Sequence, residues 1–323
     1  MREKILDILL DNIGVYVSGE EISRMLNKSR TAVWKSIKSL RNEGYLIEAY
    51  PRKGYRAVKN PDLLVPREIK RYLNTQRFGK VIDYHDIIDS TNRKAKEFGL
   101  QGYPEGTIVV AEEQNRGRGR LDHQWASPRG GIWFSLVLRP YLTPERAPLL
   151  TLLAAVSMIK GIEEVARVPV GIKWPNDIFL KGKKLAGILT EINAEMELIN
   201  FVVVGIGINV NVHKDCFAGD IAEIAASVVE EKGEEVPRPE ILGAILNHME
   251  VLFDKAQKEG FSSVIEEWKN YDTTLGEKVE IHTTTGIISG RALDISEDGS
   301  LIMEKKKGEN IKVRSGDLYL QSN

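Results

Sequence analysis

Thr107-Ile108-Val109-Val110-Ala111 is an apolar run that leads into Arg116-Gly117-Arg118-Gly119-Arg120. The stretch then closes on Trp125 and on Gly130-Gly131-Ile132-Trp133-Phe134-Ser135. Glycine lets backbone N–H groups approach a ligand closely, and arginine adds a forked, permanently charged donor suited to carboxylate and phosphate. Three arginines alternating with two glycines behind a strand therefore read as a movable clamp for an anion on the rim of a sheet. Short Arg/Gly tracts also occur in loops that hold RNA without sequence preference, so the neighbouring motifs must decide between the two.

Four further clusters stand around the clamp. Asp89-Ser90-Thr91-Asn92 lies where a strand passes into a helix and offers hydroxyl and amide groups, although Ser90 alone would also serve as a plain N-cap. Lys173-Trp174-Pro175-Asn176-Asp177 is a rigid turn with charged and amide groups at a strand end. Lys183-Lys184-Leu185-Ala186-Gly187 places lysine before small residues and a strand, aiming an ammonium at a ligand held against the sheet. Gly205-Ile206-Gly207-Ile208-Asn209 combines close backbone approach with one amide. Each cluster alone is weak; their co-occurrence in this order is strong.

The first 60 residues read differently. Ile5, Leu6, Leu9 and Ile13 recur at helical spacing, and Ser18 with Glu21 forms a capping box for a short helix through Leu26. Asn27-Lys28 makes a tight turn and Ser29 caps a third helix, which Gly44 ends. That helix buries Val33, Ile37 and Leu40 and turns Arg30, Thr31, Lys35, Lys38 and Arg41 outward. Two short strands, 45–50 and 55–58, are joined by Pro51-Arg52-Lys53-Gly54. This is the layout of a winged helix-turn-helix with a basic recognition helix and a basic wing tip, a DNA-binding arrangement. The charge agrees: residues 1–60 hold 12 Lys/Arg against 7 Asp/Glu, net +5, leaving the remainder at net −6.

The whole chain of 323 residues is 42% hydrophobic and 28% charged, which is ordinary for a globular protein of two or three domains. The longest apolar run, 199–210, is interrupted by Asn200, Gly205, Gly207 and Asn209 and is too short for a membrane span of ~20 residues. The N-terminus lacks a signal-peptide layout, so a cytoplasmic protein without membrane association is expected. A single cysteine, Cys216, excludes an internal disulfide and a Cys-rich zinc site.

After a linker at 61–66, strands at 80–87, 107–112, 132–138, 171–174, 187–192 and 201–209 mix with helices at 91–100, 144–166 and 239–258. The last ~50 residues are helix-poor, with strands at 278–283, 286–295, 301–304, 310–314 and 318–320, as in a small β-barrel. The fold class is α+β: a winged helix-turn-helix over 1–60, a central mixed-sheet α/β domain over 66–272, and a small barrel over 273–323.

Over its entire length the sequence resembles the biotin protein ligases that double as biotin operon repressors. The resemblance is carried by Ser90-Thr91-Asn92, Gln114 with Arg116–Trp125, Lys173–Asp177, Lys184–Gly187 and Gly205–Asn209. It implies a class II synthetase-like ligase domain and an SH3-like C-terminal barrel. One departure stands out: many relatives extend the clamp to GRGRxGR, whereas Leu121-Asp122-His123 follows Arg120 here.

The resemblance further implies an AMP-forming reaction on biotin, ATP and Mg²⁺, followed by transfer to a lysine of a biotin carboxyl carrier protein. Arg118, Arg120 and Lys184 would offset the charge of two anions brought together. Ser90, Thr91, Asn92 and Gln114 would surround the ureido ring, with Gly117 to Arg120 closing over the ligand. Trp133 and Gly187 would wall the aliphatic tail, Trp125 would stack on adenine and Asn209 would read its edge. Asp177 would orient or deprotonate the incoming lysine, unless its role is purely structural. No dedicated protein metal cage is expected.

A lipoate ligase shares this architecture but normally lacks the winged helix. A ligand-sensing repressor with a dead enzyme domain would not need Lys184 and the clamp. DNA contact is expected from Arg30, Thr31, Lys35, Lys38, Arg52 and Lys53, and one such domain offers few contacts, so a homodimer on operator DNA is expected.

Overall fold

The computed structural model describes residues 1–58, 62–120, 123–196, 198–217, 219–283, 286–305 and 308–320. Leu121 and Asp122, which depart from the extended clamp pattern, lie outside the described residues, as does Pro61 at the start of the expected linker. The chain divides into two compact units, Met1–Leu63 and Leu64–Asn323. No helix among the described residues is long and apolar enough to cross a membrane.

The first unit comprises α1 (Arg2–Leu10), α2 (Gly19–Leu26), α3 (Arg30–Asn42), β1 (Ile47–Tyr50) and β2 (Gly54–Ala57). Its caps are local. Ser18 accepts a hydrogen bond from the Glu21 N–H at 3.0 Å, and Ser29 accepts one from the Ala32 N–H at 3.2 Å. Asn27 takes the left-handed conformation that lets α2 end and α3 begin within a few residues. Ile5, Leu6 and Leu9 meet Ile22, Val33, Ile37 and Leu40 in one apolar cluster. Ile13 is not part of it: α1 ends at Leu10, and Ile13 is exposed beyond it. β1 and β2 pair antiparallel, and the turn between them carries Arg52 and Gly54 at positive φ.

The second unit opens with α4 (Pro66–Lys70) and continues through β3 (Ile82–Ile88), α5 (Thr91–Leu100), β4 (Ile108–Gln114), β5 (Ile132–Leu138) and α6 (Pro148–Ala166). Next come β6 (Gly171–Lys173), β7 (Asp177–Leu180), β8 (Lys183–Glu195), β9 (Leu198–Ile208), α7 (Ile221–Ile224), α8 (Val228–Lys232), α9 (Arg238–Glu259) and α10 (Ser262–Tyr271). β10 (Lys278–Thr283), β11 (Gly286–Ile295), β12 (Leu301–Glu304), β13 (Asn310–Val313) and β14 (Asp317–Leu320) complete it.

Strands β3 to β9 form one mixed sheet in the order β3-β4-β5-β9-β8-β7-β6, with only the β3–β4 pair parallel. The last five strands form an antiparallel sheet in the order β13-β12-β11-β10-β14, whose buried side chains join the same core as the central sheet.

The helix expected over 144–166 is split into a short 3₁₀ turn, Pro144–Arg146, and α6, which starts with Pro148 in its first turn, where the missing N–H costs nothing. Sequence reasoning passed over β7 and α10. β7 has four residues and is joined to β8 by Lys181 and Gly182, both at positive φ, a two-residue hairpin turn without the usual Asn-Gly signal. α10 buries Val264, Ile265 and Trp268 at helical spacing, a pattern that could have revealed it.

Alternation along the central strands decides where a site can form. Ile108, Val110, Phe134, Leu136, Val202, Val204, Ile206 and Ile208 face the large core that contains α6 and α9. The intervening positions Val109, Val137 and Val203 meet Ala95 and Phe98 of α5 on the other face. Farther along β9 on that second face, the side chain vanishes at Gly205 and again at Gly207. A depression opens there.

Candidate active site

The depression is a cavity of about 360 Å³. Its floor is set by register, Gly207 opposite Gly187 and Gly187 opposite Asp177; Trp133, opposite Gly207, continues the row outside the cavity. One of these positions leaves no room for a Cβ and a second leaves little. A Cβ on Gly207 would lie 2.5 Å from Trp125 Nε1, and one on Gly187 would lie 3.0 Å from the Trp125 ring. Next to this row, a Cβ on Gly205 would fall 1.8 Å from Asn92 Oδ1. The glycines thus hold room for Trp125 and Asn92 at the wall.

The wall at the start of α5 is a hydrogen-bonded chain. Ser90 occupies the N-cap position without making a side-chain cap, so capping does not explain it. Ser90, Thr91 and Asn92 are all buried. The Thr91 N–H donates to Gln114 Oε1 at 2.8 Å, and Gln114 Nε2 donates to Ser127 Oγ at 2.9 Å. The Ser135 hydroxyl stands 2.6 Å from Asn92 Oδ1 and 2.8 Å from Thr91 Oγ1. Asn92 Nδ2 donates to Glu191 Oε2 at 2.9 Å, and Glu191 Oε1 lies 3.4 Å from Arg118 Nη1. The chain therefore begins beneath the end of the Arg/Gly loop and returns to its start.

That loop is a narrow hairpin. The Gly119 N–H donates to His123 O at 2.7 Å, and the Trp125 N–H donates to Gly117 O at 2.9 Å. Gly117 is confined by this closure: a Cβ there would stand 2.3 Å from Trp125 O and 2.6 Å from Ser127 Oγ. Arg120 reaches across to donate to Asn176 Oδ1 at 3.1 Å and to Gly316 O at 3.3 Å. Opposite, Lys184 Nζ lies 2.8 Å from Asp177 Oδ1 and 5.3 Å from the centre of the Trp125 ring. The lysine approaches off the hydrogen-bonding direction, so Asp177 Oδ1 has no hydrogen bond among the described residues. Asn209 is buried; its Nδ2 donates to Ala226 O at 3.0 Å, while its Oδ1 has no hydrogen-bond partner among the described residues. Burial holds the Lys173 pKa below the ordinary lysine value, against the opposing charge of Asp177 and with the help of Lys184.

Ser90, Thr91, Asn92, Gln114, Arg118, Gly119, Arg120, Trp125, Asp177, Lys184, Gly187 and Asn209 all line the cavity. Two expected ligand contacts do not. Trp133 is fully buried and donates its Nε1–H to Pro128 O at 2.9 Å; its ring packs under Trp125 and Ala126 and supports the wall from behind. Gly117 serves the turn of the hairpin rather than the cavity surface. Sequence reasoning missed Ser135 and Glu191 behind the wall, together with the lining residues Asp317, Phe217, Ile221 and Ile224; Asn176 it had named only as the amide of the 173–177 turn. Glu191 had a signal: it stands four residues after Gly187 on one strand, hence on the same face. No group of three or more His, Cys, Asp or Glu side chains among the described residues is placed to hold a metal ion.

Chemically, this is a glycine-floored slot lined by two guanidinium groups and one ammonium. It also offers an acceptor oxygen, Asn209 Oδ1, that has no hydrogen-bond partner among the described residues. Such a slot suits an elongated ligand with an amide-like end and an anionic middle.

Comparison with known proteins agrees with this chemistry. Residues 84–209 match the Biotin/lipoate A/B protein ligase family, residues 1–56 an HTH domain, and residues 274–320 the Biotin protein ligase C terminal domain. The chain is 40% identical to the bifunctional ligase/repressor BirA of Bacillus subtilis (strain 168), over 99% of this chain and 98% of that protein. It is 27% identical to BirA of Escherichia coli (strain K12), over 94% and 95%. Among solved structures, the biotin protein ligase from Aquifex aeolicus in complex with biotin and ATP aligns at a TM-score of 0.65 and 28% identity. It covers 76% of this chain and 100% of its own.

Proposed function

The chain belongs to the biotin protein ligase family in its bifunctional ligase/repressor form, and we propose that its cavity joins biotin to AMP and then to a lysine. In the first step the biotin carboxylate attacks the α-phosphorus of ATP, forming biotinyl-5′-AMP and releasing pyrophosphate. In the second, the ε-amine of a biotin carboxyl carrier protein attacks the acyl carbon of the mixed anhydride. An amide forms, AMP leaves and the amine loses a proton.

The observation that carries the reading is the convergence of Arg118, Arg120 and Lys184 on one glycine-floored cavity. Two anions must meet there, and charged donors each stabilise developing charge by ~1.5–3 kcal/mol, more in a site closed to water. The chain of Thr91, Asn92 and Gln114 suits the ureido ring. Trp125 offers a face to adenine, and Asn209 Oδ1 accepts from the adenine amino group. Asp177, beside Lys184, orients or deprotonates the incoming amine. The Arg/Gly hairpin shields the anhydride from hydrolysis. Asp177 and Asp317 at the wall would be the carboxylates nearest a Mg²⁺ ion carried in by the triphosphate, and such an ion would offset part of the phosphate charge.

The first unit gives the protein its repressor function. Arg30, Thr31, Lys35, Lys38, Arg52 and Lys53 meet operator DNA, and a homodimer favoured by the adenylate couples biotin supply to repression in the cytoplasm. Outward exposure of Arg30, Thr31, Lys35 and Lys38 on α3 supports this. Arg30 is held to Glu20 by an ion pair that phosphate would have to displace.

Purified protein with ATP, Mg²⁺ and either biotin or lipoate tests the chemistry through pyrophosphate release. Release with lipoate alone would make this a lipoate ligase, and release with neither would leave a sensor. Duplex binding with and without biotin plus ATP, over a salt series, tests the repressor. Lys35→Ala and Arg30→Ala weaken binding and flatten its salt dependence while ligation continues. Equal affinity in both conditions would refute the regulatory coupling.

A further inference from the structure

Trp34 is out of place by the ordinary rules of burial. Of the five tryptophans, Trp133, Trp174 and Trp268 are fully buried and Trp125 is half-buried in the cavity wall, whereas Trp34 is 52% exposed. It stands in the middle of α3, four residues after Arg30 and four before Lys38, so the three share one face. Thr31 and Lys35 flank it, and all four neighbours are exposed. The Lys38 ammonium lies 5.6 Å from the centre of its ring. The opposite face of the helix, with Val33, Ser36, Ile37 and Leu40, already fills the core of this unit, and Trp34 adds nothing to it.

A large apolar ring ringed by cations fits one kind of partner. The cations draw phosphates, and the ring leaves water only when an apolar group meets it. In the major groove of a DNA duplex, the apolar group displayed among the base edges is the thymine C5-methyl. We propose that Trp34 reads a thymine methyl group in the operator, and that Lys38 leaves its ring for a phosphate as the complex forms. This deepens the repressor reading and rests on it: the basic residues of α3 position the helix, and Trp34 supplies sequence preference.

The test uses the full chain with biotin and ATP, and a 40-base-pair duplex enriched by the wild-type protein from a random library. Each thymine is then replaced singly by deoxyuridine, which pairs identically and lacks only the methyl. Wild-type affinity falls about fourfold at one or two positions, the value expected for one buried methyl group. In Trp34→Ala the loss at those positions shrinks to within about twofold, the scatter of independent effects. Trp34→Phe, which keeps an apolar ring, retains the discrimination, and the helical circular dichroism and thermal unfolding of each variant report that the first unit is folded.

An undiminished fourfold loss in Trp34→Ala, or no loss at any position in the wild type, overturns the inference. So does a Trp34→Ala change confined to self-association, which would make the ring a contact between copies. If the wild-type protein enriches no duplex at all, the DNA-binding reading falls and this inference falls with it.

Discussion

Gly205→Ala is the smallest change that tests the architecture of the site. The added methyl would sit 1.8 Å from Asn92 Oδ1, 2.6 Å from its Cγ and 2.8 Å from its Nδ2, so the Asn92 amide has to leave. Three hydrogen bonds go with it: from the Ser135 hydroxyl at 2.6 Å, to Glu191 Oε2 at 2.9 Å, and to Leu189 O at 3.3 Å. With two neutral bonds and one to a carboxylate, the loss is about 3–5 kcal/mol before relaxation. At roughly 2–4 °C per kcal/mol for a unit of this size, the melting temperature drops by about 10 °C. Biotin affinity falls at least roughly tenfold, equivalent to ~1.4 kcal/mol, because the group proposed to face the ureido ring has turned away. Calorimetric titration of biotin and thermal unfolding measure both. Comparison with Asn92→Ala isolates the cause: if displacement of Asn92 is the whole effect, the double variant is no worse than Asn92→Ala alone. Wild-type affinity and melting temperature in Gly205→Ala would refute the reasoning, since the methyl would then have found room that the structure denies it.

Other outcomes follow from the same geometry. Lys184→Ala slows single-turnover pyrophosphate release by one to several orders of magnitude with the fold intact; a near-wild-type rate removes Lys184 from the mechanism. Arg120→Gly opens the clamp where it is tied to Asn176 and Gly316, so biotinyl-AMP escapes and labels bystander lysines; labelling confined to the acceptor protein would contradict the clamp. Asp298 offers a pH test in the turn before β12. Burial works against its charge, but hydrogen bonds from Ser296 and Ser300 prevail and hold its pKa down to about 2. Its folded-state value lies below the ordinary carboxylate range, so the stabilisation is present above pH ~4 and fades as the pH falls toward 2. The deficit of Asp298→Asn relative to wild type in denaturant titrations is therefore constant above pH ~4 and shrinks below it. A deficit that grows on acidification would reverse the sign.

Sequence alone determined what neighbours along the chain decide. The caps of α2 and α3 were legible because a serine hydroxyl and an N–H three residues on lie within one turn, whatever the rest of the molecule does. The strand–helix–strand passage around Thr91 was legible from periodicity, and Gly205 and Gly207, weak alone, were legible through their co-occurrence with the other clusters. Residue types of a clamp, Arg118 and Arg120 with Lys184, announced an anion before any geometry was known.

The tertiary structure decided which of these groups meet, because strand register sets partners far apart in the chain. Gly187 faces Asp177 and Gly207 only through pairing of β7, β8 and β9, and that pairing makes a floor of positions that look unrelated in sequence. Register also explains why Trp133, though in the same row, ends behind the wall: Gly131 leaves its ring room to lie under Trp125 and Ala126, away from the cavity. Glu191 joins Arg118 to Asn92 across 73 and 99 residues, separations that no local pattern can encode. Trp34 is the converse case. Helical spacing placed its neighbours outward, but only the packed core of the first unit, already filled by Val33, Ile37 and Leu40, shows that the indole has nowhere to go but outward.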